Sequence, residues 1–117
     1  MIQSRRTAPR TVVKLPIRID GPRGSHHLTV RDLSIDGLFV ECGRPYEAGT
    51  RLECLLNLGL QKIEATAEVR HQTNTYRTED SEGPYKGMGI RFVRLGTDAL
   101  MTLQTYLAQL TSPNSGG

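Results

Sequence analysis

The sequence predicts an all-β domain with one helix, in which six antiparallel strands close into a barrel and a C-terminal amphipathic α-helix follows. Three observations predict this fold. Apolar and polar residues alternate over six short stretches. Gly, Pro and Asp mark turns between most of these stretches. Near the C-terminus the apolar residues are instead spaced three and four positions apart, as on one face of a helix. Strands joined by short turns favour a closed antiparallel barrel.

The composition suits a single soluble domain. The chain has 117 residues, of which 37% are hydrophobic and 23% charged, and a domain of this size buries roughly two-thirds of its unfolded surface. No apolar run approaches the ~20 residues of a membrane span, and the polar N-terminus shows no secretory signal. We therefore expect a cytoplasmic protein without membrane insertion. Cys42 and Cys54 lack metal-site spacing and are expected to be buried thiols.

Residues 1–11 predict a basic, flexible arm, because they offer a core almost no apolar side chain. Residues 1–31 hold seven Arg and Lys against one acid, a net charge of +6, whereas residues 32–117 hold eight basic and eleven acidic residues, a net charge of −3. Such a positive end attracts a phosphate-bearing partner. The alternative is that the basic terminus only improves solubility.

The first two strands are predicted around a turn at residues 21–24. In the first strand Pro16 falls on the polar side, which predicts a sheet edge or a bulge there. In the second, residues 25–33, Asp32 continues the buried side of Leu28 and Val30. Because a carboxylate is not stable unpaired in a dry core, the strand is expected to bulge near Asp32 or to reach the rim of the barrel.

The rest of the chain is predicted as four strands and one helix. The strands cover residues 38–42, 51–58, 62–70 and 86–93, and the polar residues 71–84 are predicted as a loop. The helix, residues 97–110, begins at Thr97, a suitable cap, and carries one leucine stripe. The barrel and helix thus form a domain over residues 12–110, and residues 111–117 are expected to be a disordered tail.

The turn between the second and third strands carries the first candidate site, Asp32-Leu33-Ser34-Ile35-Asp36-Gly37. Asp36-Gly37 is typical of a tight hairpin turn, in which Gly37 is expected to adopt a positive φ. Asp32 and Ser34 lie two apart, so they point to one side of an extended chain. Beside a glycine that permits close approach, they offer groups that pair with the donor edge of a guanine-like base. A plain Asx-type turn explains the same residues, and both interpretations stay open.

The arm carries the second candidate motif, Arg6-Thr7-Ala8-Pro9-Arg10. Pro9 biases the segment towards extended geometry, in which Arg6 and Arg10 lie on one side about 13 Å apart at ~3.3 Å per residue. That span is comparable to a dinucleotide. The motif is therefore interpreted as a two-pronged clamp, with Arg5 as a third prong.

Other kinds of site find no support in the sequence. Neighbouring His26 and His27 point to opposite faces of a strand, and His71 stands alone, so no metal site is expected. There is no phosphate-binding loop, no nucleophile elbow and no paired acid and base. The six aromatic residues are dispersed and predict no platform for stacking nucleic-acid bases. We expect a binding module and not an enzyme.

Taken together, the two motifs resemble those of the PilZ domain family. Arg5-Arg6-Thr7-Ala8-Pro9-Arg10 resembles its Arg-x-x-x-Arg motif, and residues 32–37 resemble its Asp/Asn-x-Ser-x-x-Gly motif. Gly89-Ile90-Arg91-Phe92-Val93 before an amphipathic helix is similar to the family's usual ending. The resemblance covers about residues 4–110.

The resemblance implies a bacterial PilZ-like split barrel that binds the second messenger cyclic di-GMP. It implies that Arg6 and Arg10 contact phosphates and guanine acceptor edges, since arginine presents a planar fork to both. It implies that Asp32, Ser34 and Gly37 shape the pocket for another side of a guanine. In the family, an arginine placed like Arg5 accompanies binding of a stacked pair of messenger molecules.

The resemblance also implies a mode of action. With no second domain visible, the expected protein is a stand-alone adaptor in which ligand binding changes the arm and an unidentified downstream protein reads the new surface. It is expected to be a monomer or a dimer, with cyclic di-GMP as its ligand and no cofactor. Two alternatives remain: a PilZ-fold interaction module that does not bind the nucleotide, and a basic nucleic-acid-binding barrel, which the lack of a stacking platform disfavours.

Overall fold

A computed structural model of the chain describes residues 9–77 and 83–111 and contains six strands and one helix. Residues 1–8, which include Arg5 and Arg6, and residues 112–117 of the predicted tail lie outside the described residues. The elements are β1 (Thr11–Gly21), β2 (Gly24–Leu33), β3 (Gly37–Glu41), β4 (Arg51–Asn57), β5 (Lys62–Tyr76), β6 (Tyr85–Leu95) and α1 (Thr97–Thr111).

The six strands form one closed barrel in the order β1-β2-β3-β6-β5-β4, and every neighbouring pair is antiparallel. The predicted fold class, a six-stranded antiparallel barrel with a C-terminal helix, is confirmed. Closure matters for the protein because it leaves no strand with a fully open edge, which would otherwise pair with other chains.

The core fills the barrel along the predicted alternation. Ile17 and Ile19 of β1 are almost fully buried, and the intervening Arg18 is exposed. Burying an aliphatic side chain of this size contributes roughly 1.5–3 kcal/mol relative to leaving it in water. The same pattern holds for β4 and β5, whose buried residues are Leu52, Cys54, Leu56, Ile63, Ala65, Ala67 and Val69. The period of two in the sequence therefore decides which face of each strand points inward.

The two cysteines differ in burial. Cys54 lies in the core, and burial raises the pKa of its thiol to about 12. Cys42 is free as well but only half-buried, so the prediction of two buried thiols is correct for Cys54 and too strong for Cys42. A thiol that stays protonated behaves as a small apolar side chain.

Pro16 lies where β1 has a neighbour on one side only. β1 pairs with β4 from Ile17 to Asp20, so Pro16 falls just outside that ladder, while Thr29 of β2 lies opposite it. The register with β2 shifts between Val12 and Leu15. A residue without an N–H is accommodated at such a position, as the sequence predicted.

β5 continues well past its predicted end. The expectation of a loop at residues 71–84 is wrong as far as Tyr76, because Gln72 and Thr73 pair with Met88 and Gly87 of β6. Residues 71–76 of this extension are all exposed or half-buried. The extension therefore lacks the apolar alternation by which a half-buried strand is detected in a sequence.

An aromatic stack fastens this extension to the outside of the barrel. The rings of Phe39 and Tyr76 lie 3.9 Å apart at an interplanar angle of 15°, and Phe39 is only 1% exposed although it alternates with the inward-facing Leu38 and Val40. A Cβ on Gly87 would lie 2.8 Å from the ring of Phe39. The absence of a side chain at Gly87 thus leaves room for the ring of Phe39 and for the carbonyl of Val40.

The helix α1 covers one side of the barrel and packs against β5 and β1. Leu103 is fully buried, Leu100 and Leu107 are half-buried, and Leu110 is exposed. The helix begins with the N–H of Leu100 donating to the carbonyl of Gly96 at 2.8 Å. In the described ranges 9–77 and 83–111, no helix is long and apolar enough to cross a membrane.

Candidate functional site

The structure brings parts of the two sequence motifs together at one end of the barrel. Arg10 directly precedes β1, and the β1–β2 register places Thr11 opposite Leu33 and Val12 opposite Asp32. The guanidinium of Arg10 donates from Nη1 to Oδ1 of Asp32 at 2.6 Å. The Asp32 side chain is 4% exposed and that of Arg10 42%, so the cation lies at the rim and the carboxylate below it.

A bulge in β2 places the carboxylate of Asp32 beside the barrel wall. The β2–β3 register shifts between Val30 and Asp32, which fulfils the prediction of a bulge near this residue. The backbone N–H of Phe39 donates to the same oxygen, Oδ1, at 3.1 Å. Oδ2 is also buried and has no hydrogen-bond partner among the described residues. One carboxylate oxygen of Asp32 therefore accepts no hydrogen bond from the described residues.

Burial dominates the electrostatics of Asp32. Desolvation raises the pKa of this carboxyl above its usual value, while the charge and hydrogen bond of Arg10 and the N–H of Phe39 lower it in part. Burying an ionised group is costly unless it is paired and hydrogen-bonded. The half-satisfied carboxylate is therefore a strong acceptor for any donor that reaches it from the rim.

Ser34 serves the β2–β3 turn. Its backbone N–H donates to the carbonyl of Gly37 at 2.9 Å, and its hydroxyl accepts from the N–H of Asp36 at 3.0 Å. The hydroxyl also lies 3.4 Å from the Gly37 carbonyl, a long hydrogen bond. Ser34 is 2% exposed. These contacts fix the path of the chain immediately after Asp32.

Gly37 is required by close approach of the backbone. The expected positive φ at this residue is wrong: Gly24, Gly49, Gly59 and Gly83 have one, and Gly37 does not. A Cβ on Gly37 would collide with the carbonyl oxygen of Ile90 and lie 2.9 Å from the Cα of Arg91. The absence of a side chain thus allows β3 to begin against β6, where Gly37 pairs with Arg91.

A groove of about 650 Å³ opens beside the ion pair, with Arg10 on its wall. The β2–β3 turn supplies Ile35 and Asp36, and α1 supplies Leu100. The other lining residues come from β5 and β6: Arg70, His71, Gly89, Ile90, Arg91, Phe92, Val93, Arg94 and Leu95. Four arginines and one carboxylate, that of Asp36, line the groove, so it favours anions.

Sequence reasoning missed the basic residues that β5 and β6 contribute to this groove. Arg70, Arg91 and Arg94 are exposed and lie outside both motifs. Their signal in the sequence was weak: Arg70 and Arg91 occupy the polar side of an alternating strand, as many solvent-facing residues do, and Arg94 lies beyond the predicted end of its strand. Only the β5–β6 register, with Glu68 opposite Arg91, brings them to one surface.

His71 packs closely against Gly89 of β6 in the same groove. A Cβ on Gly89 would collide with Cε1 of the imidazole and lie 2.9 Å from its Nε2, and the two residues are register partners. Gly89 therefore leaves the room that His71 occupies. The imidazole thus lines the groove, where its ring nitrogens are groups that can form hydrogen bonds.

The chain was compared with known proteins. A profile of the PilZ domain family matches residues 4–109. No curated protein matches the sequence. Several solved structures share the fold, although at less than 25% identity such likeness shows the fold alone.

Three of these structures illustrate the likeness. The Bacillus subtilis inhibitor of motility MotI/DgrA has a TM-score of 0.74 at 23% identity, covering 95% of this chain and 53% of that one. The PilZ domain of YcgR from Escherichia coli, with c-di-GMP, has a TM-score of 0.72 at 15% identity, covering 92% of both. The K. pneumonia MrkH–c-di-GMP complex has a TM-score of 0.72 at 19% identity, covering 93% and 52%. The chain thus spans about half the length of MotI/DgrA and MrkH.

Proposed function

Because the chain belongs to the PilZ domain family, we propose that it is a receptor for cyclic di-GMP, which binds in the groove beside the Arg10–Asp32 ion pair. One observation carries the proposal: Asp32 keeps a buried oxygen without a partner in the described residues, next to a groove lined by four arginines. YcgR and MrkH were solved with this nucleotide, which supports the choice of ligand.

The carboxylate of Asp32 suits the donor edge of guanine. Guanine offers N–H donors at N1 and N2, whereas adenine offers no such pair. Oδ1 is already taken by Arg10 and Phe39, so Oδ2 is the oxygen we assign to the ligand. A hydrogen bond to a charged acceptor contributes roughly 1.5–3 kcal/mol, enough to discriminate guanine from adenine.

The arginines suit the two phosphates and the acceptor edges of the guanines. Arg10 is half-exposed at the rim, so its free guanidinium nitrogens remain available to a ligand. We assign Arg70 and Arg91 to the same task from the opposite wall. Arg5 and Arg6 lie outside the described residues, and we propose that they close on the ligand from the arm, where Arg5 favours a stacked pair of messenger molecules.

Ser34 and Gly37 contribute by shaping the pocket. The hydrogen bonds of Ser34 within the turn support a positioning role. Gly37 keeps β3 close to β6 and so fixes the distance between Asp32 and the arginines of the far wall. A ligand bridging both walls depends on that distance.

Binding is proposed to change the arm and, through it, a downstream protein. The sequence suggested that nothing pins the arm in the free protein, but the structure ties its residue Arg10 to Asp32. An anionic ligand in the groove competes for Arg10 and supplies counter-charge to Arg5 and Arg6. The surface around the first residues of β1 then differs between the free and bound states, and a partner distinguishes them.

Isothermal calorimetry with cyclic di-GMP tests the proposal, with GTP and cyclic di-AMP as controls. We expect heat only with cyclic di-GMP, and the titration also gives the number of molecules bound. Protein at tens of micromolar detects dissociation constants into the micromolar range, about −8 kcal/mol. No heat under these conditions would refute the proposal.

The same experiment separates the two alternatives. A nucleic-acid-binding barrel requires affinity for DNA or RNA that falls steeply with salt and ignores guanine content. An interaction module that does not bind the nucleotide requires a silent titration with an intact fold. Binding that depends on guanine and on Asp32 excludes both.

A further inference from the structure

A second recess lies at the far end of the barrel from the Arg10–Asp32 pair. Its volume is about 770 Å³, and it is bounded by the β1–β2 hairpin tip, the loop 43–50, the end of β5 and the start of β6. β3 connects the two ends: it begins at Gly37, beside the first groove, and the N–H of Cys42, just after its end, donates to the carbonyl of Lys86 at the second. The recess shares no lining residue with the first groove.

Tyr46 forms the fixed floor of this recess. Its ring is 5% exposed, and its hydroxyl lies 3.0 Å from both the backbone N–H of Arg23, which donates to it, and Nε2 of His26. The guanidinium of Arg23 covers the ring at 3.9 Å, a favourable cation–π arrangement. The floor is therefore rigid in the absence of any ligand.

The loop above the floor is held from both sides. Arg23 donates from Nη2 to the carbonyl of Arg44 at 2.6 Å. The side-chain amide of Gln72 donates to the carbonyls of Pro45 and Tyr46, at 3.2 and 2.9 Å. A recess whose walls are already ordered loses little entropy when it binds a partner.

Among the residues that the structure describes, the positive charge of the recess is largely uncompensated. Arg23, Arg44 and Lys86 line it against the single carboxylate of Glu47, a formal sum of +2 from three cations and one anion. None of the ion pairs within residues 9–77 and 83–111 involves any of these three cations. An anionic partner would supply the missing charge.

Part of a strand edge is also open at the recess. β4 pairs with β5 only as far as Glu68, and Gly49 and Thr50 hydrogen-bond to Val69. Beyond that point Gln72 and Thr73 pair with β6, and the described residues place no further strand on their other side, where only the side chain of Gln72 contacts the loop 43–50. An extended peptide gains backbone hydrogen bonds at such an edge.

From these observations we infer that the recess is a second recognition site, which takes an acidic, extended peptide segment of a partner protein. The segment lies along the edge of β5 with its carboxylates towards Arg44 and Lys86. A nucleic acid fits less well, because the one aromatic ring of the recess, that of Tyr46, is buried and covered by Arg23, which leaves no face for a base to stack on. The inference does not depend on binding of cyclic di-GMP.

Nuclear magnetic resonance titration of the full chain tests the inference, with an alternating Glu-Thr peptide as the probe. Alternating Gln-Thr and Lys-Thr peptides serve as controls. At about 1 mM peptide, where binding worth about −4 kcal/mol is detected, we expect amide shifts at residues 43–50 and 72–74 with the Glu-Thr peptide alone. The absence of these shifts would overturn the inference.

A pair of matched double variants identifies the charges that matter. Arg44→Gln with Lys86→Gln should weaken peptide binding by about 5- to 30-fold, the effect of two exposed ion pairs. Lys14→Gln with Lys62→Gln makes the same change of net charge on exposed strand residues outside the recess and should leave binding unchanged. Equal loss in both double variants means non-specific charge attraction and contradicts the inference, as does a preference for single-stranded DNA at the same residues.

Calorimetry with cyclic di-GMP on the Arg44→Gln, Lys86→Gln variant keeps the two proposals separate. Wild-type affinity for the nucleotide together with weakened peptide binding is the expected result. Because both side chains are exposed, the substitutions should not alter the melting temperature. Shifts with the Glu-Thr peptide that map instead to Arg10, Arg70 or His71 would assign the acidic probe to the first groove and overturn the inference.

Discussion

At the scale of single residues, the candidate site depends on two atoms that are unusual for different reasons. Oδ2 of Asp32 is buried without a partner in the described residues, and the Cα of Gly37 carries no side chain where any Cβ would collide with β6. The first is an electrostatic feature and the second a steric one. Substitutions at the two residues should therefore have different effects on stability and on binding.

Gly37→Ala should lower stability by about 1–3 kcal/mol, because the new Cβ forces β3 away from the carbonyl of Ile90. Thermal or urea unfolding measures the loss. Gly43→Ala is the matched control, since a Cβ there meets nothing within 4 Å, and it should leave stability nearly unchanged. Equal stability of the two variants would show that the β3–β6 contact relaxes without cost.

Asp32→Ala and Asp32→Asn should distinguish the hydrogen-bonding role of Asp32 in the fold from the role of its negative charge in ligand binding. Alanine leaves the buried N–H of Phe39 without its acceptor, which costs about 1–3 kcal/mol, so this variant should be less stable than the wild type. Asparagine keeps an acceptor for Phe39 and removes a buried charge, so its unfolding free energy should stay closer to that of the wild type. Both variants should bind cyclic di-GMP more weakly than the wild type, and Asp32→Ala should bind more weakly than Asp32→Asn. Unchanged binding by Asp32→Ala would show that Asp32 does not contact the ligand.

The affinity for cyclic di-GMP should fall on acidification at a higher pH than an exposed aspartate would cause. Burial raises the pKa of Asp32, so the carboxyl gains its proton, and loses its charge, before an ordinary aspartate does. The stability of the fold should depend on pH in the opposite direction. Ionisation of the buried Asp32 lowers the free energy of unfolding, so this part of the stability is lost as pH rises through the folded-state pKa. Titrations at decreasing pH measure the effect, and Asp32→Asn should lack it.

At the scale of elements, the C-terminal part of β5, residues 70–76, supplies lining residues to both the first groove and the second recess. Arg70 and His71 line the groove, and Gln72–Asn74 line the recess. The extension is held by pairing with β6 and by the stack of Tyr76 on Phe39. Phe39 also donates its backbone N–H to Asp32. The stack of Tyr76 on Phe39 therefore helps to hold the carboxylate of Asp32 in position.

Tyr76→Ala should destabilise the protein by roughly 1–3 kcal/mol, because it uncovers the ring of Phe39 and removes an aromatic pair. Tyr76→Phe keeps the stacked ring and should match the wild type closely. Urea unfolding followed by circular dichroism gives both values. A stable Tyr76→Ala variant would mean that pairing with β6 alone holds the extension.

The arginines of the groove should matter for the ligand more than for the fold. Arg70→Gln and Arg91→Gln are each expected to weaken cyclic di-GMP binding by about tenfold, about 1.4 kcal/mol, through loss of a charged contact. Arg51→Gln is the matched control, because Arg51 is an exposed strand arginine that lines neither the groove nor the recess. Calorimetry at one fixed salt concentration measures all three, and equal losses would indicate only long-range attraction.

At the scale of the whole molecule, the proposed receptor consists of a closed barrel that holds one end of the arm through Arg10. The barrel supplies a rigid reference, and ligand-dependent change is expected at the arm. Fixing each backbone residue costs about 1–2 kcal/mol, so ordering the four residues 6–9 over a ligand would cost on the order of 4–8 kcal/mol. Several charged contacts must therefore form together.

Arg6→Ala and Arg10→Ala should each nearly abolish binding of cyclic di-GMP, and the double variant should be little worse than either. The reason is that the loss of one contact leaves the ordering cost of the whole arm uncompensated, so the effects are not additive. Calorimetry of the three variants tests this coupling, and melting temperatures check that Asp32 tolerates the loss of Arg10. Additive losses would show that the two arginines act independently.

The sequence by itself determined the barrel and the location of its motifs. Alternation with a period of two is a local property, so the inward residues of β1, β4 and β5 and the leucine stripe of α1 follow from the order of the residues. The bulge near Asp32 followed in the same way, because a carboxylate on the buried side of a strand must find a partner. The motif residues Arg10, Asp32, Ser34 and Gly37 were also named from the sequence.

Only the tertiary structure shows which of these residues contact one another and what each contact requires. Strand register joins Arg10 to Asp32 across 22 positions, brings Arg70 and Arg91 to one groove, and sets Gly37 against Ile90, so that steric contact and not a positive φ requires the glycine. The end of β5 was missed because its support, the stack of Tyr76 on Phe39, lies outside the core. Strand register pairs residues that are distant in the sequence, so the local patterns of the chain did not show which side chains meet across strands.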